Sequence, residues 1–401
     1  MTSPDDVLRE SMVAHKAGRF VEAEAGYRRV LEARPTDPKA LYYLGLLQHH
    51  RGDTVAAIDL LQRCVAIAPS NAHAWNTLGG LYIAAERRDE AREAYRRMTV
   101  ADPARGEGWY NLGICLRDEG NVDGALDCLR TSVARQPDYF RSYEALATLL
   151  YRLDRVREAG ETYREWSTRD PNNATARHMA AATSQQNVPT RAADEYVRIL
   201  FDSSAKSFDT DLERLRYRAP TLVVEALIRA LGSREAEARV FGNVLDGGCG
   251  TGLCGPLLLA RSEKLVGVDL SPQMIERAQE RACYDELVVA EWCAFMRTRP
   301  AQFDTIVSAD TLVYFGALEE PLAAARLALK AGGRLVFTVE RSSQQNGADY
   351  QLGSAGRYVH TEPYVRRTLA AAGFAVETLA QAVLREERDE PVNGMVVLAT
   401  T

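Results

Sequence analysis

The chain has 401 residues, of which 46% are hydrophobic and 26% are charged, and its formal net charge is −6 at pH 7. A chain of this length and composition can bury more than one hydrophobic core, so we expect at least two domains. The negative charge disfavours general binding to nucleic acids or acidic membrane surfaces, which both select basic proteins.

The cysteines and the N-terminal residues indicate the compartment. The seven cysteines form no C-x-x-C pair and have no histidine at zinc-binding spacing, so we expect buried thiols and no metal site. Residues 1–10 are polar and lack the apolar stretch of a secretion signal. No apolar run of about 18 residues is present. These features predict a cytoplasmic protein without a membrane-spanning segment.

Residues up to about 174 repeat with a period of 34. Five positions recur in phase, and each phase has its own residue type. The pattern predicts pairs of helices, in which small side chains let two helices cross closely and proline ends the second helix. The phases are Pro35, Pro69, Pro103, Pro137 and Pro171; Ala23, Ala57, Ala91, Ala125 and Ala159; Gly45, Gly79, Gly113 and Ala147; Leu41, Trp75, Trp109 and Tyr143; and Tyr27, Leu61, Tyr95, Leu129 and Tyr163.

This pattern resembles the tetratricopeptide repeat (TPR), which stacks helix pairs into an α-solenoid. The resemblance covers about five units and predicts a TPR domain over residues 1–174, with an atypical first unit that has Ser11 where glycine is usual. In this family the first helices line a concave groove that usually binds polypeptide. The resemblance therefore implies a peptide or protein partner and places Tyr110, Arg117 and Tyr151 in the groove.

Residues 175–240 differ from the repeats. Residues 184–189 have the composition of a linker, and Ala205 replaces the proline expected in phase. Aromatic residues regularly spaced among charged ones then predict helices, and residues 221–231 predict an amphipathic helix. We expect a helical connector between two domains.

From residue 241 onward strand and helix patterns alternate, which predicts a parallel α/β sheet. The last two strands leave no room for a helix between them. They should therefore form an antiparallel C-terminal hairpin, with residues 390–394 in the connection. The seven predicted strands cover residues 243–246, 265–269, 287–290, 303–308, 333–339, 375–384 and 395–400.

Residues 244–272 read as a strand, a glycine-rich turn, a helix and a second strand that ends in an acid. Glycine permits positive φ and lets a ligand approach the backbone. An acid at the end of the second strand can accept hydrogen bonds from ribose hydroxyls. Asp246 is followed by glycines at 248, 250 and 252, and Asp269 lies 17 residues after the last of them. This spacing differs from the G-x-G-x-x-G loop that binds dinucleotides.

The loop and the acid resemble motif I and the acidic loop of class I S-adenosylmethionine (SAM) methyltransferases. A parallel sheet closed by a reversed strand is also the Rossmann-like, seven-stranded fold of that family. The resemblance implies SAM as cofactor, with ribose on Asp269 and adenine near Glu291 and Trp292. One departure is Gly247, where a large apolar residue is common. The cofactor-binding residues implied are Asp246, Gly248, Cys249, Gly250, Gly252, Asp269, Leu270, Met274, Glu291, Trp292 and Ala309.

The same resemblance implies where the methyl acceptor lies. Residues 303–314 resemble the family's motif IV beside the methyl donor, which makes Asp310 and Tyr314 catalytic candidates. An acceptor nitrogen or oxygen must be uncharged or deprotonated, so a base would help, and His360 is the third candidate. Helices before motif I often cover the cofactor in this family. The substrate-binding residues expected there and after the fifth strand are Tyr196, Phe201, Phe208, Tyr217, Arg357 and Tyr358.

Nearly the whole chain resembles bacterial TPR-containing methyltransferases. Beyond the repeats and motif I, the resemblance is carried by YVRILFD (196–202), YRAP (217–220), VYFG (313–316) and GRYVH (356–360). It implies transfer of a methyl group to oxygen or nitrogen of a peptide, protein or carrier-bound substrate recruited by the repeats. Two alternatives stay open: a small-molecule methyltransferase whose repeats form a homodimer, and a scaffold that only binds SAM. The N-P-P-Y type motif is absent, which together with the charge argues against a nucleic-acid substrate.

Overall fold

The computed structural model of the protein describes residues 3–231, 240–343 and 347–401. The chain divides into two compact units, Met1–Pro171 and Asn172–Thr401. This division falls before the expected boundary at residue 174, because the helix Ala174–Ser184 packs within the second unit. The described part of segment 175–240, expected to connect two domains, likewise belongs to the second unit.

The first unit consists, in its described residues, of ten helices that pack as five consecutive pairs. This confirms the predicted TPR α-solenoid. The helices are α1 (Pro4–Lys16), α2 (Phe20–Ala33), α3 (Pro38–His50), α4 (Thr54–Ile67), α5 (Ala72–Ala84), α6 (Arg88–Ala101), α7 (Gly106–Asp118), α8 (Val122–Arg135), α9 (Arg141–Arg152) and α10 (Val156–Arg169).

The in-phase residues make the contacts that hold each pair together. A Cβ at Gly79 would lie 2.6 Å from the ring of Tyr95, so a larger residue would force these two helices apart. The indole N–H of Trp75 donates to the carbonyl of Pro69 at 2.9 Å and ties the helix to the turn before it. The in-phase alanines of the second helices are fully buried: Ala23, Ala57, Ala91, Ala125 and Ala159.

The atypical first helix pair also crosses closely, but here the glycine lies on the second helix instead of the first. Ser11 occupies the position of the later glycines, and a Cβ on Gly26 of the facing helix would lie 1.8 Å from its hydroxyl oxygen. The hydroxyl donates to the carbonyl of Val7 at 2.6 Å. The small residue has therefore moved to the second helix.

The second unit begins with helices and continues as one sheet with helices on both faces. No helix within the described residues is long and apolar enough to cross a membrane. The helices are α11 (Ala174–Ser184), α12 (Asp194–Ser204), α13 (Phe208–Arg214), α14 (Ala219–Leu231), α15 (Gly255–Leu258), α16 (Pro272–Glu280), α17 (Trp292–Arg297), α18 (Glu319–Ala328) and α19 (Glu362–Ala371). The strands are β1 (Gly242–Gly247), β2 (Ser262–Asp269), β3 (Glu286–Val289), β4 (Phe303–Ser308), β5 (Leu329–Arg341), β6 (Tyr350–Leu352), β7 (Tyr358–His360), β8 (Ala375–Glu387) and β9 (Glu390–Thr400).

Seven strands follow the predicted topology. The parallel strands lie in the order β3-β2-β1-β4-β5, and the antiparallel hairpin β9-β8 continues the sheet from β5. The Rossmann-like fold with a reversed last strand is therefore confirmed. Strands β6 and β7 form an addition that pairs with the end of β5.

The hairpin turn lies at Arg388 and Asp389, before the residues 390–394 that were expected in the connection. Both residues have positive φ, of 52° and 63°. A two-residue turn with two positive φ values matches the twist of the paired strands. Each strand can therefore run longer than the sequence pattern indicated.

Both faces of the sheet are buried. Helix α14 covers one face, where Val223 and Leu227 pack with Val244 of β1 and Leu398 of β9. Helices α17, α18 and α19 cover the other. Burial on both faces explains the continuous apolar runs of the central strands. It leaves the carboxyl ends of β1, β2, β4 and β5 as the edge where a ligand can approach.

Candidate active site

A cavity of about 340 Å³ lies at the carboxyl ends of the parallel strands in the second unit. The loops after β1, β2, β3 and β4 form its floor, and helices α12 and α13 form its roof. Most of its lining is apolar or aromatic, with charged side chains concentrated near the end of β5 and β8. This composition and position are typical of a small-molecule site in an open α/β sheet.

The glycine loop opens toward this cavity at one position and is closely packed at another. Gly250 has φ of +55°, and a Cβ there would meet nothing nearer than the Phe208 ring at 3.8 Å, so the backbone faces open space. Gly248 has φ of +72°, and its Cβ would lie 2.0 Å from the Thr311 hydroxyl. Packing therefore requires glycine at position 248, whereas Gly250 exposes its backbone to a ligand.

Asp269 ends β2 and fastens the loop to it. Its Oδ2 accepts the backbone N–H of Gly250 at 2.9 Å, and its Oδ1 accepts that of Ser271 at 2.8 Å. Burial raises the pKa of Asp269, and these two hydrogen bonds oppose the rise. The carboxylate lines the cavity at the point where the sequence predicts a ribose contact.

Asp246 lies beneath the loop rather than on the cavity lining. It is 1% exposed, and its Oδ2 accepts the Tyr284 hydroxyl at 2.6 Å. Burial raises its pKa to about 7. Its Oδ1 has no hydrogen-bond partner among the described residues. A buried carboxylate oxygen without a partner is costly, so this atom fits a donor from a ligand on the loop.

The unusual Gly247 makes room for Trp292. A Cβ at Gly247 would lie 1.9 Å from the indole Nε1 and 2.7 Å from Cδ1. The indole is 5% exposed, lines the cavity and has an unpartnered Nε1 among the described residues. The large apolar side chain common at position 247 is therefore replaced by an aromatic ring from α17.

Glu291 reaches the cavity but is already engaged. Its Oε2 accepts the backbone N–H of Ala294 at 2.7 Å and caps α17. Its Oε1 lies 3.4 Å from a guanidinium nitrogen of Arg191, which also pairs with Asp194. Ala192 donates its N–H to the carbonyl of Tyr314 at 2.8 Å, so this arginine is held beside the loop after β4.

Asp310 is ion-paired. It sits after β4 with φ of +56°, and its Oδ1 accepts the Thr338 hydroxyl at 2.9 Å. Its Oδ2 lies 2.6 Å from Arg385. Burial raises the pKa of Asp310, while the charge of Arg385 and the Thr338 hydrogen bond oppose the rise. These contacts engage both carboxylate oxygens of Asp310, and its catalytic role stays a prediction.

Arg385 and Arg357 extend this pair into a buried charge cluster. Arg385 also contacts Glu340 and lies 2.7 Å from Glu387. Arg357 lies 2.6 Å from each of the same two carboxylates. The cluster contains three carboxylates and two guanidiniums, and Arg385 is only 5% exposed. Its members at 310, 357, 385 and 387 line one end of the cavity.

Aromatic side chains form another part of the lining, which we call the aromatic wall. Phe201 meets Phe208 and Tyr314 in edge-to-face contacts, with ring centroids 5.8 and 5.5 Å apart. Tyr217 also lines the cavity, close enough to Asp310 for that charge to raise its pKa further after burial. Burial raises the pKa of Tyr314 to about 12. Both phenols therefore stay protonated at neutral pH.

Three predicted site residues lie in the protein interior instead of on the cavity. His360 is fully buried, and its Nε2 lies 3.1 Å from the carbonyl of Gly316. The Tyr196 ring stacks on His178 at 4.1 Å. The Tyr358 hydroxyl donates to the carbonyl of Pro189 at 2.7 Å. None of these three side chains lines the cavity, so none is positioned to contact a ligand there.

Two predicted cofactor residues have packing roles. Met274 is fully buried in α16, and its N–H donates to the Ser271 side chain that caps the helix. Gly252 has φ of +83°, and its Cβ would lie 3.0 Å from the Tyr284 ring. The predicted residues that do line the cavity are Gly248, Cys249, Gly250, Asp269, Leu270, Glu291, Trp292, Ala309, Asp310, Tyr314, Phe201, Phe208, Tyr217 and Arg357.

The expected groove residues lie on first helices of the repeats. Tyr110 of α7 packs against Tyr139 at 5.5 Å and against the guanidinium of Arg141 at 5.2 Å. Arg117, also of α7, pairs with its neighbour Asp118. Tyr151 is on α9 and is half-buried. Their contact with a partner stays a prediction.

Two aspartates of the roof contact the glycine loop and the loop after β2, and the sequence pattern did not single them out. The Thr251 hydroxyl donates to Asp209 at 2.5 Å, and Arg281 also pairs with Asp209. The Ser271 hydroxyl donates to Asp202 at 2.5 Å. We call these contacts the roof latch. A signal was present, since Asp202 directly follows Phe201 and Asp209 directly follows Phe208, but acids on a polar helix face are usually solvated.

Comparison with known proteins gives matches in both units. A family model described as a methyltransferase domain matches residues 245–335. Models described as tetratricopeptide repeats match residues 8–72, 116–174 and 48–112. The repeat and sheet assignments made from the sequence agree with these matches.

Individual relatives cover parts of the chain. Magnesium-protoporphyrin O-methyltransferase of Rhodobacter capsulatus is 35% identical over 98 residues, which is 24% of this chain and 44% of that protein. Tetratricopeptide repeat protein 8 of Caenorhabditis elegans is 26% identical over 153 residues, 38% of this chain and 30% of that protein. The chain thus spans less than half the length of either relative. A crystal structure of MamA protein matches with 20% identity and a TM-score of 0.38, over 42% of this chain and 92% of that one.

Proposed function

Because this chain joins tetratricopeptide repeats to a methyltransferase domain, we propose that it is a SAM-dependent methyltransferase acting on a substrate that the repeats recruit. The observation that carries the proposal is the glycine loop of β1, with backbone open to the cavity at Gly250 and fastened to Asp269. Both features lie at the carboxyl edge of the sheet, where nucleotides bind in folds of this kind.

The residues present fit this cofactor. Oδ1 of Asp246 lacks a partner among the described residues and suits the ammonium group of an amino acid. Asp269 presents a carboxylate to ribose hydroxyls, and Trp292 offers a ring beside the position proposed for adenine. When bound, SAM would supply a methyl group on a positively charged sulfur, which leaves as a neutral thioether. Glu291 would accept a further hydrogen bond from the adenine amino group.

The chain's own residues act by positioning the acceptor and excluding water. The aromatic wall and the roof enclose the end of the cavity beside Asp310 and Tyr314, which we call the acceptor end. Methyl transfer from a sulfonium depends mainly on alignment of the reacting atoms. Asp310 and Tyr314 remain the proposed contacts to the acceptor, with Asp310 held in place by Arg385. The ion pair with Arg385 fixes the orientation of the Asp310 carboxylate, and Asp310 in turn positions the acceptor.

We further propose that the repeats bind a peptide, a protein or a carrier that delivers the acceptor. The support is the first-helix face that carries Tyr110, Arg117 and Tyr151, side chains suited to polypeptide contact. A small-molecule enzyme with repeats used for dimerisation is the alternative. Removing residues 1–171 separates the two: loss of transfer to a macromolecular acceptor, with SAM affinity retained, supports recruitment. Unchanged turnover after the removal supports the alternative.

Isothermal titration of the full chain with SAM tests the cofactor proposal. We expect saturable binding that Asp269→Ala weakens by about a hundredfold, because it removes a charge-assisted acceptor and releases Gly250. Glu263→Ala is the matched control, since this exposed acid lies at the other end of the same strand. Absence of binding by the unmodified protein, or equal binding by both variants, would contradict the proposal.

A further inference from the structure

We infer that the methyl acceptor is the nitrogen of an amine, carried on an aromatic or aliphatic body that has no negative charge near the reacting atom. This inference rests on the proposed methyl transfer and narrows its acceptor. Four features of the acceptor end support it. Its arginines pair with carboxylates of the protein, its tyrosines are protonated, its carboxylates already accept hydrogen bonds or ion pairs, and aromatic rings form one wall.

The arginines of the acceptor end are occupied by the protein's own carboxylates. Arg385 uses Nε on Glu387 and its two terminal nitrogens on Asp310 and Glu340. Arg357 uses Nε and one terminal nitrogen on Glu340 and Glu387. An acceptor carboxylate or phosphate that approached Arg385 would have to displace one of these buried carboxylates. The cluster, with three acids and two arginines, also carries one excess negative charge when all its members are ionised, which repels an anion.

Two tyrosines bring phenol hydroxyls to the cavity, where they can meet a neutral polar group. Tyr217 and Tyr314 both line it. Tyr314 lies in the same loop as Asp310, and the N–H of Arg218 donates to the carbonyl of Leu384 at 2.8 Å, which brings Tyr217 close to Arg385. Each phenol can donate to, or accept from, an amine nitrogen.

A base for an oxygen acceptor is missing from the part of the cavity that the structure describes. No histidine lines it, and His360 is enclosed in the core. Asp310 and Glu387 are bound to arginine. Asp269 and Glu291 accept backbone N–H groups. The two remaining acids of the lining, Asp194 and Asp211, pair with Arg191 and Arg214. A hydroxyl or phenol has to lose its proton as it attacks, whereas an uncharged amine attacks with its lone pair.

The transfer balances without a group on the protein. The nitrogen lone pair forms the new N–C bond, the C–S bond breaks, and its electron pair stays on sulfur. The nitrogen now carries the positive charge that sulfur loses, and its surplus proton passes to water after release. The wall of Phe201, Phe208 and Tyr314 favours this outcome, because aromatic faces attract a developing cation. The excess negative charge of the cluster also stabilises the positive charge that develops on the nitrogen.

Tyramine tests the inference, because it offers an amine and a phenol on one aromatic body. The full chain is incubated with methyl-labelled SAM and millimolar tyramine, and mass spectrometry locates the methyl group. We expect N-methyltyramine. Methylation of the phenol oxygen, or of neither position, would overturn the inference. SAM binding is measured separately by calorimetry, so a failed cofactor proposal is distinguished from a wrong acceptor.

An anionic analogue and a pH profile extend the test. 4-Hydroxyphenylacetate carries a carboxylate in place of the amine, and we expect it to bind the S-adenosylhomocysteine complex at least about tenfold more weakly than tyramine. Equal or tighter binding contradicts the proposed charge selection. With two amines of different pKa, the pH at which transfer rises should follow the amine. A rise at one fixed pH for both amines would indicate a protein base and overturn the inference.

Phenylalanine variants check the role of the hydroxyls. Tyr217→Phe and Tyr314→Phe should each raise KM for tyramine several-fold and leave SAM affinity within about twofold, because each removes one hydrogen bond to the acceptor. Tyr42→Phe, in the repeats, is the control and should leave both constants unchanged. Unchanged KM in both site variants would contradict the proposed amine contacts.

Discussion

At the residue scale, two departures from the family patterns are each compensated by a facing side chain that fills the same volume. Gly247 gives up the large side chain common at its position, and Trp292 fills the vacated volume from a different helix. The same exchange occurs in the first repeat, where Gly26 makes room for Ser11. In both cases a departure from a family pattern is compensated by one facing residue. A departure of this kind therefore points to a specific contact.

We expect Gly247→Ala to destabilise the protein by about 1–3 kcal/mol, because the added methyl group overlaps the Trp292 indole. The cost should be smaller in a Trp292→Leu background, where the overlapping ring is absent. Thermal unfolding of the two single variants and the double variant measures this coupling. Gly80→Ala is the control, since its nearest neighbouring atom would be 3.9 Å away. Equal costs in both backgrounds would show that the two residues do not share the space.

His360 should make stability depend on pH. Burial lowers its pKa from 6.5 to about 4 in the folded protein. Between pH 6.5 and 4 the unfolded chain therefore binds the extra proton, so the free energy of unfolding falls as the pH falls through this window. At about pH 4.5 the loss relative to neutral pH is about 2.5 kcal/mol.

His360→Gln should remove this part of the pH dependence, since the amide can still donate to Gly316 but does not titrate. The measurement is Tm for wild type and variant across the window. His49→Gln, an exposed histidine of the repeats, is the control. A variant whose Tm falls as steeply as that of the wild type between pH 6.5 and 4 would contradict the assignment.

At the scale of elements, helices α12 and α13 are attached to the sheet by the roof latch as well as by apolar contacts. Asp209 joins α13 to Thr251 of the glycine loop and to Arg281 after α16. Asp202 joins α12 to Ser271. The acids therefore connect the roof to the same loops that the cofactor proposal uses. An element that both covers a ligand and is fastened to its loops controls how quickly that ligand leaves.

Asp209→Asn should weaken SAM binding by about tenfold, mainly through faster dissociation, because it removes the charge that pairs with Arg281. Stopped-flow displacement of bound cofactor measures the dissociation rate. Glu213→Gln is the matched control, since this acid is exposed on the same helix. An unchanged dissociation rate in Asp209→Asn would mean that the latch has no part in holding the cofactor.

At the scale of the whole molecule, the chain consists of two units whose boundary is set by α11. His178 of this helix contacts the carbonyl of Gly356 at 2.9 Å, and Ala181 and Ala182 pack with Leu352 and Tyr358. The helix continues the repeats in sequence and belongs to the sheet unit in space. The loop carrying the GRYVH residues therefore depends on it.

We expect a fragment of residues 172–401 to fold and to keep its cofactor affinity within about twofold of the full chain, because these residues form a compact unit of their own. A fragment of residues 185–401 lacks α11 and should be destabilised by several kcal/mol, because Leu352, Tyr358 and the Gly356 carbonyl lose their cover. Tm and calorimetry on both fragments test this. Equal stability of the two would show that α11 contributes nothing to the second unit.

The sequence alone determined the repeats, the succession of strands and helices along the chain, and the glycine-rich loop, since each follows from local periodicity or from residues close in the chain. Gly79 beside Tyr95 and Gly250 beside Asp269 follow from such patterns. Only the tertiary structure decided which polar residues face the cavity. Arg385 pairs with Asp310 across 75 positions of sequence, and His360 is enclosed although its loop lies near the site. Their roles depend on which strands become neighbours and on which side chains the core then encloses, and neither is encoded in spacing along the chain.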